Sequence, residues 1–229
     1  MTRGPIHLRP TAPLADRVLL PGDPGRALML AQELLTEPKM FNHHRGLWGY
    51  TGVAGDGELL TVQATGMGGP SCAIVLEELI DLGVTRAIRV GTCGALDGGL
   101  SLGDVVVASE AVSDQGSARA LGAGERVAPD AALTSALEGD AIGPMVSTDL
   151  FYDPREGAVP AWRGAGAIAV EMEAATLFRI GERRGIAVAC VCAVSDVIAE
   201  GSRIGDDELE AASKRVGYVA QKALVSTSG

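Results

Sequence analysis

Aromatic residues make up only 3% of this 229-residue chain, so its core has to be assembled from alanine, valine, leucine and isoleucine. An aromatic side chain in a loop is correspondingly conspicuous. Positive charge is also short: 19 lysines and arginines face 29 acidic residues, for a formal net charge of −10. Such an acidic surface disfavours nucleic acid and anionic membrane as partners, and any anion site has to be a local concentration of positive charge. The longest apolar stretch, Gly185 to Val194, is too short to cross a bilayer. Met1-Thr2-Arg3-Gly4-Pro5 leads into no apolar signal core, so residence in the cytoplasm is the expectation.

Cysteine and histidine are equally sparse. Cys72, Cys93, Cys190 and Cys192 show no Cys-x-x-Cys spacing, and no paired histidine ligands stand near them. Cys190 and Cys192 share one face of an apolar strand, and small buried filler is the expected role of all four. His7, His43 and His44 fit no metal-ligand spacing, so no metal is expected. The chain has no Gly-x-Ser-x-Gly elbow and no Gly-x-Gly-x-x-Gly turn after its first strand, which argues against a serine hydrolase and a nicotinamide enzyme.

What remains is an ordinary globular composition, 47% hydrophobic and 21% charged, with a regular alternation of elements. Arg17-Val18-Leu19-Leu20 reads as a buried strand, followed by a Pro-Gly turn and an amphipathic helix from about Arg26 to Leu35. Segments 46–53 and 58–65 read as strands joined at Gly55-Asp56-Gly57. The loop Gly66-Met67-Gly68-Gly69-Pro70 opens a helix through Leu82, and the strand Ala87–Val90 runs into an expected loop at Gly91-Thr92-Cys93-Gly94. Further strands are expected at Val105–Ala108, near Ala167–Val170 and at Ala187–Val194, with helices at Glu173–Arg184 and about Asp206–Val225. Residues 114–129 read as the most loop-like internal segment. Strands alternating with helices predict an α/β fold with a largely parallel central sheet, and no linker or repeat divides residues 1–229 into more than one domain. Ligands of such sheets gather beyond the carboxyl ends of the strands, where loops at Gly22, Gly66, Gly91 and Ser195 are expected to converge.

Four segments there could carry chemistry. Gly22-Asp23-Pro24-Gly25-Arg26 aims backbone N–H groups, a helix N-terminus and a cation at one place, although a plain turn with Arg26 in solvent reads equally well. Arg89 lies inside an apolar strand, where a guanidinium needs a partner. That partner is a bound oxyanion, with the Thr92 hydroxyl helping, or a salt-bridging carboxylate such as Asp23 or Glu78. Glu171 and Glu173 flank Met172 at a strand-to-helix junction, where capping explains them and gripping a sugar's vicinal hydroxyls is the functional option. Asp196, beside Ser195 after the most apolar strand, could cap a helix or act as a general acid.

Seven stretches in order, PGDPGRA at 21–27, NHHRGLWGYTG at 42–52, TGMGGPSCAIVLEEL at 65–79, RVGTCGAL at 89–96, STDLFY at 147–152, VEMEAATLF at 170–178 and AVSDVI at 193–198, resemble the hexameric type of nucleoside phosphorylase. That family includes purine nucleoside, uridine and methylthioadenosine phosphorylases. The resemblance implies a three-layer α/β/α sandwich around a mixed, largely parallel twisted sheet, and phosphorolysis of a nucleoside without a cofactor, inorganic phosphate being a co-substrate. It places the phosphate on Gly22, Arg26, Arg89 and Thr92, with Arg45 supplied by a neighbouring subunit. It places the nucleoside among Met67, Cys93, Gly94, Phe151, Val170, Glu171, Met172, Glu173 and Ser195, with the neighbour's His7 at the 5′ position and Asp196 as the acid that protonates the leaving purine. Only 20 positions separate Phe151 from Glu171, which leaves no room for the uracil-binding insertion of uridine phosphorylases. Nucleosidases that use water lack the phosphate arginines. Purine phosphorolysis by a homo-oligomer, dimer-based and a hexamer by family precedent, is therefore the expectation. The alternatives are a methylthioadenosine, uridine or broad-specificity phosphorylase, and behind these a nucleosidase or a non-catalytic nucleoside-binding protein. Purine enzymes of this type often carry an arginine downstream of the acid, and Arg203 lies in that region.

Overall fold

The computed structural model describes residues 4–96 and 98–227. Strand β1 covers Arg17–Leu20, followed by helix α1 at Pro24–Leu34, strand β2 at Thr36–Asn42, a 3-10 turn at His44–Gly46, and strands β3 and β4 at Gly49–Val53 and Leu59–Gln63. Helix α2 at Gly69–Asp81 leads to strands β5 and β6 at Arg86–Ala95 and Val105–Asp114. Then come α3 (Gly116–Ala120), β7 (Arg126–Val127), α4 (Ala131–Ala136), β8 (Ala141–Thr148), α5 (Ala158–Gly164) and β9 (Ala169–Glu171). Helix α6 at Ala174–Arg184, strands β10 and β11 at Ala187–Val197 and Ser202–Arg203, and helix α7 at Asp206–Ser226 complete the order.

Each central strand splits its side chains between two cores, as period two demands. Val18, Leu20, Ala87, Val106, Cys190 and Cys192 enter one core with Val75, Leu76 and Leu79 of α2 and Leu177, Phe178 and Ile180 of α6. Their neighbours Leu19, Ile88, Val105, Val107, Ala189 and Val191 enter the other, with Leu30 and Leu34 of α1 and Val216, Ala220 and Leu224 of α7. Strands buried on both faces explain why these segments read as unbroken apolar runs. The four cysteines are free and buried, consistent with filler. No helix among the described residues is long and apolar enough to cross a membrane.

The sheet is mixed, with parallel and antiparallel ladders side by side. Parallel pairs join β4 to β1, β1 to β5, β5 to β10, β6 to β8 and β8 to β9. Antiparallel pairs join β2 to β3, β3 to β4, β5 to β9, β6 to β7, β6 to β10 and β10 to β11. Helical crossovers give the first set. Within the second, the pairs β2–β3, β3–β4 and β10–β11 are direct chain reversals, whereas β5–β9 and β6–β10 join strands distant in the chain. Because β5 pairs with both β9 and β10, the strands β5, β10, β6, β8 and β9 close into a ring, and the site lies at one end of it.

Two expected loops are also strand. Residues 91–94 belong to β5, where Gly91, Thr92 and Cys93 pair with Cys192, Ala193 and Val194 of β10, and Gly94 also pairs with Val170 of β9. Ser195 and Asp196 belong to β10, which continues through an irregularity between Val194 and Asp196. Glycine and serine weaken the strand signal locally, but long-range pairing satisfies their backbone and decides the outcome. Strands β2, β7, β8 and β11 and helices α3, α4 and α5 were not anticipated, and α3 and β7 fall within residues 114–129, the segment expected to be loop. Exposed Lys39 and Met40 blur the alternation of β2, and Gly143 and Pro144 interrupt that of β8.

Phe178, 2% exposed on α6, is among the largest buried side chains of the core, so truncating it removes much packed volume. Phe178→Ala is expected to lower the unfolding free energy by about 3–5 kcal/mol in urea titration.

Candidate functional site

Strand β1 ends into Gly22, and α1 begins at once because Asp23 accepts the Arg26 N–H at 2.7 Å and Pro24 starts the first turn. Helix α1 therefore starts two residues earlier than its amphipathic pattern indicates, and Arg26 leaves its first turn toward a cavity of about 550 Å³. Asp23 thus serves as a cap and not as a partner for Arg89. The side chain of Arg26 has no hydrogen-bond or ion-pair partner among the described residues. Burial, followed by the like charge of Arg89, holds its guanidinium below the usual value. An unpaired, partly desolvated cation beside a second cation is an electrostatic vacancy for an anion.

Arg89 is paired, but not as expected. Its Nε donates to Glu171 Oε2 at 2.7 Å, and its Nη2 donates to Glu173 Oε2. The three residues are 5%, 4% and 4% exposed. Burial opposes the Arg89 charge, but Glu173 and Glu171 outweigh it and hold the guanidinium well above its usual value. Gly91 leaves room for it, since a Cβ there would lie 2.7 Å from the Arg89 guanidinium. Glu78, the other suggested partner, is instead occupied by residues 6–8.

Of Glu171 and Glu173, the first meets the capping option. Glu171 caps α6, accepting the N–H groups of Glu173 at 2.8 Å and Ala174 at 2.9 Å, and also accepts a hydrogen bond from the Ser147 hydroxyl. Burial, resisted by Arg89, pushes its carboxyl up to about 7. Glu173 turns the other way and accepts the Gly68 N–H at 2.5 Å, which ties the loop before α2 to the site. The intervening Met172 carbonyl is held by Gln115 Nε2 at 2.5 Å.

At the far wall, Asp196 Oδ2 lies 2.7 Å from the Ser195 hydroxyl, and Asp196 Oδ1 lies 3.7 Å from Arg203 Nε. The β10–β11 pairing puts Asp196 opposite Arg203 and so brings this arginine to the acid. Phe151 and Tyr152 stand out from the loop before α5, their rings edge to face with centroids 5.0 Å apart.

The cavity collects Gly22, Arg26, Met67, Arg89, Thr92, Cys93, Gly94, Phe151, Val170, Glu171, Met172, Glu173, Ser195 and Asp196. His7 and Arg45, the two residues assigned to a neighbouring subunit, do not line it. They lie instead on one small surface framework. Buried Asn42 accepts the Arg9 N–H at 2.9 Å and donates to Leu47 O at 2.5 Å, while His44 Nδ1 meets His7 O at 3.0 Å. Arg45 is exposed with φ of 58°, a conformation that side chains seldom adopt.

The motif reading missed Asp153, Arg155 and Trp162, which also line the cavity. Arg155 pairs with Asp153 and with Asp114, and Trp162 Nε1 donates to the same Asp114 at 3.2 Å. The signal available was the scarcity of tryptophan, one of only two in the chain.

A family model described as the phosphorylase superfamily matches residues 16–227. The chain belongs to the phosphorylase superfamily. It is 34% identical over 226 residues to a guanosine phosphorylase of Halorubrum lacusprofundi, covering 93% of each chain. It is 36% identical to a purine nucleoside phosphorylase, DeoD-type, of Geobacillus kaustophilus, covering 94% of this chain and 95% of that one. Among solved structures, uridine phosphorylase of Vibrio fischeri superposes with a TM-score of 0.84 at 25% identity, over 93% of both chains. Phosphorylase-superfamily membership and a mixed α/β fold thus agree with the ordered motifs.

Removing the cation from the buried triad isolates two carboxylates. Arg89→Leu is expected to cost about 3–5 kcal/mol of stability at pH 8. Glu171 already sits near 7, above the value of about 4.3 of an unfolded glutamate, so its folded form binds more protons. Stability from such a group is present below the unfolded value and lost as pH rises through the folded one. The deficit of Arg89→Leu should therefore shrink at pH 5, read as urea midpoints at both pH values. An equal deficit at both would mean that the triad is not held together by charge.

Proposed function

We propose that this chain is a purine nucleoside phosphorylase, catalysing reversible phosphorolysis of the N-glycosidic bond of a ribonucleoside or deoxyribonucleoside to free base and pentose 1-phosphate. The observation that carries this reading is the unpaired Arg26 beside Arg89, in a cavity whose other walls hold Glu173 and Asp196. The names of the purine-acting relatives support it.

In this reading phosphate rests on Gly22, Arg26, Arg89 and Thr92, below the anomeric carbon. The bond from that carbon to the base nitrogen breaks as a phosphate oxygen approaches, and the sugar passes through an oxocarbenium-like state stabilised by the anion. Glu173 accepts the sugar hydroxyls, with Met67 and Met172 packed on its ring. Cys93, Gly94, Val170, Glu171, Ser195 and Phe151 surround the base. Asp196 delivers a proton to the departing purine, and Arg203 stabilises the carboxylate left behind. Neither a metal nor an organic cofactor enters this scheme.

The placement of His7 and Arg45 outside their own cavity supports a homo-oligomer in which each copy completes its neighbour's site. A dimer is the smallest such unit, and a hexamer of three dimers is the family precedent. The helices on both faces of the sheet support a single three-layer α/β/α domain. Its acidic surface supports a cytoplasmic enzyme of small molecules, without nucleic-acid or membrane partners.

Base release from inosine, guanosine and adenosine should require inorganic phosphate and yield pentose 1-phosphate. Release at an equal rate without phosphate would make the protein a nucleosidase. Asp196→Asn should reduce kcat by about 10²–10⁴-fold with little change in the phosphate KM. Arg26→Ala should do the opposite, raising the phosphate KM more than it lowers kcat.

A further inference from the structure

Glu78 stands on the third turn of α2, away from the cavity, and the chemistry above does not use it. Its carboxylate nevertheless gathers one segment of the chain. The N–H of Ile6 reaches Oε1 at 3.0 Å, that of His7 reaches both oxygens at 3.0 Å, and that of Leu8 reaches Oε2 at 2.7 Å. The His7 ring adds a fourth group, with Nδ1 2.7 Å from Oε1. The ionised carboxylate has no proton to give. Burial would raise its pKa, but the His7 ring and the three amides hold it below the usual range.

A carboxylate can only accept, so at 2.7 Å the ring donates through Nδ1, and in the neutral imidazole this leaves the lone pair on Nε2. The carbonyl of the same residue is fixed by His44 Nδ1 at 3.0 Å, so backbone and ring are both held. His7 is a quarter exposed and lies outside its own cavity, leaving Nε2 available to a neighbouring copy.

We propose that Glu78 is a positioning residue that presents His7 as a hydrogen-bond acceptor and thereby selects nucleosides bearing a 5′-hydroxyl over those with a 5′-deoxy or 5′-methylthio group. The inference rests on the phosphorylase reading and on the approach of His7 to a neighbour's substrate. A 5′-hydroxyl donates to Nε2, whereas a methyl or thioether has no proton to donate and leaves that lone pair desolvated and unpaired. Glu78 touches no substrate and acts only through His7.

The test compares kcat/KM for inosine and 5′-deoxyinosine in phosphate. The intact protein should favour inosine by about 10- to 100-fold, the range of a hydrogen bond lost in a closed site. His7→Phe should bring the ratio close to one. Glu78→Gln should lower it about tenfold with the phosphate KM unchanged, and should have no effect on it in the His7→Phe background. A Glu78→Gln effect that is equal for both nucleosides, or that persists without His7, would overturn the proposal. Nitrogen-15 NMR of the unmutated protein at pH 8 gives a readout independent of how the Glu78 variant folds, with His7→Phe identifying the signal. A protonated Nδ1 and bare Nε2 support the proposal, and the opposite tautomer refutes it. Phosphate-dependent base release from neither nucleoside would instead remove the phosphorylase reading, and this inference with it.

Discussion

Arg89 buried between Glu171 and Glu173 is the constraint on which the rest of the site depends. A guanidinium inside an apolar strand is tolerable only if its charge is met, and two carboxylates from a single turn meet it. That contact fixes the junction between β9 and α6 against β5. Ser147 secures Glu171 from β8, and the N–H of Gly68 secures Glu173 from the loop before α2. One buried cation thus brings together elements far apart in the chain. Closure of the strand ring through the pairing of β5 with β10 adds the wall that carries Asp196.

The same arrangement produces an anion site in a chain of net charge −10. Arg89 has its partners, whereas Arg26 comes off the first turn of α1 with none, in partly desolvated surroundings. The division of labour is physical. A fully buried cation needs permanent counter-charges, while a cation at the rim of a cavity can be left for a ligand to neutralise. His7 and Arg45 belong to a different device. Asn42, His44 and Glu78 build them into the outer surface, and Arg45 is held there in a backbone conformation that costs free energy to keep.

Much of this was legible in the residues. The order of the main elements followed from periodicity and from glycine and proline punctuation, with boundaries close to those observed for β1, α2, α6 and α7. Local pattern failed in two ways. It read Gly91–Gly94 and Ser195–Asp196 as loops, although both are strand, because the partners that satisfy their backbone lie about a hundred residues away. It also weighed Asp23 and Glu78 as counter-charges for Arg89, since nothing local distinguishes a helix cap or an amide clamp from an ion-pair partner.

What the sequence by itself determined is the set of chemical groups and the family to which their ordered motifs belong. It also determined the two-sided burial of the central strands, because side-chain alternation is a local property of the backbone. What only the tertiary structure decided is which charges meet. It paired Arg89 with Glu171 and Glu173, left Arg26 without a partner, brought Arg203 to Asp196 and gave Glu78 to His7. Such pairings depend on distances across the sheet and on the removal of water between the groups, neither of which is encoded in the spacing of residues along the chain.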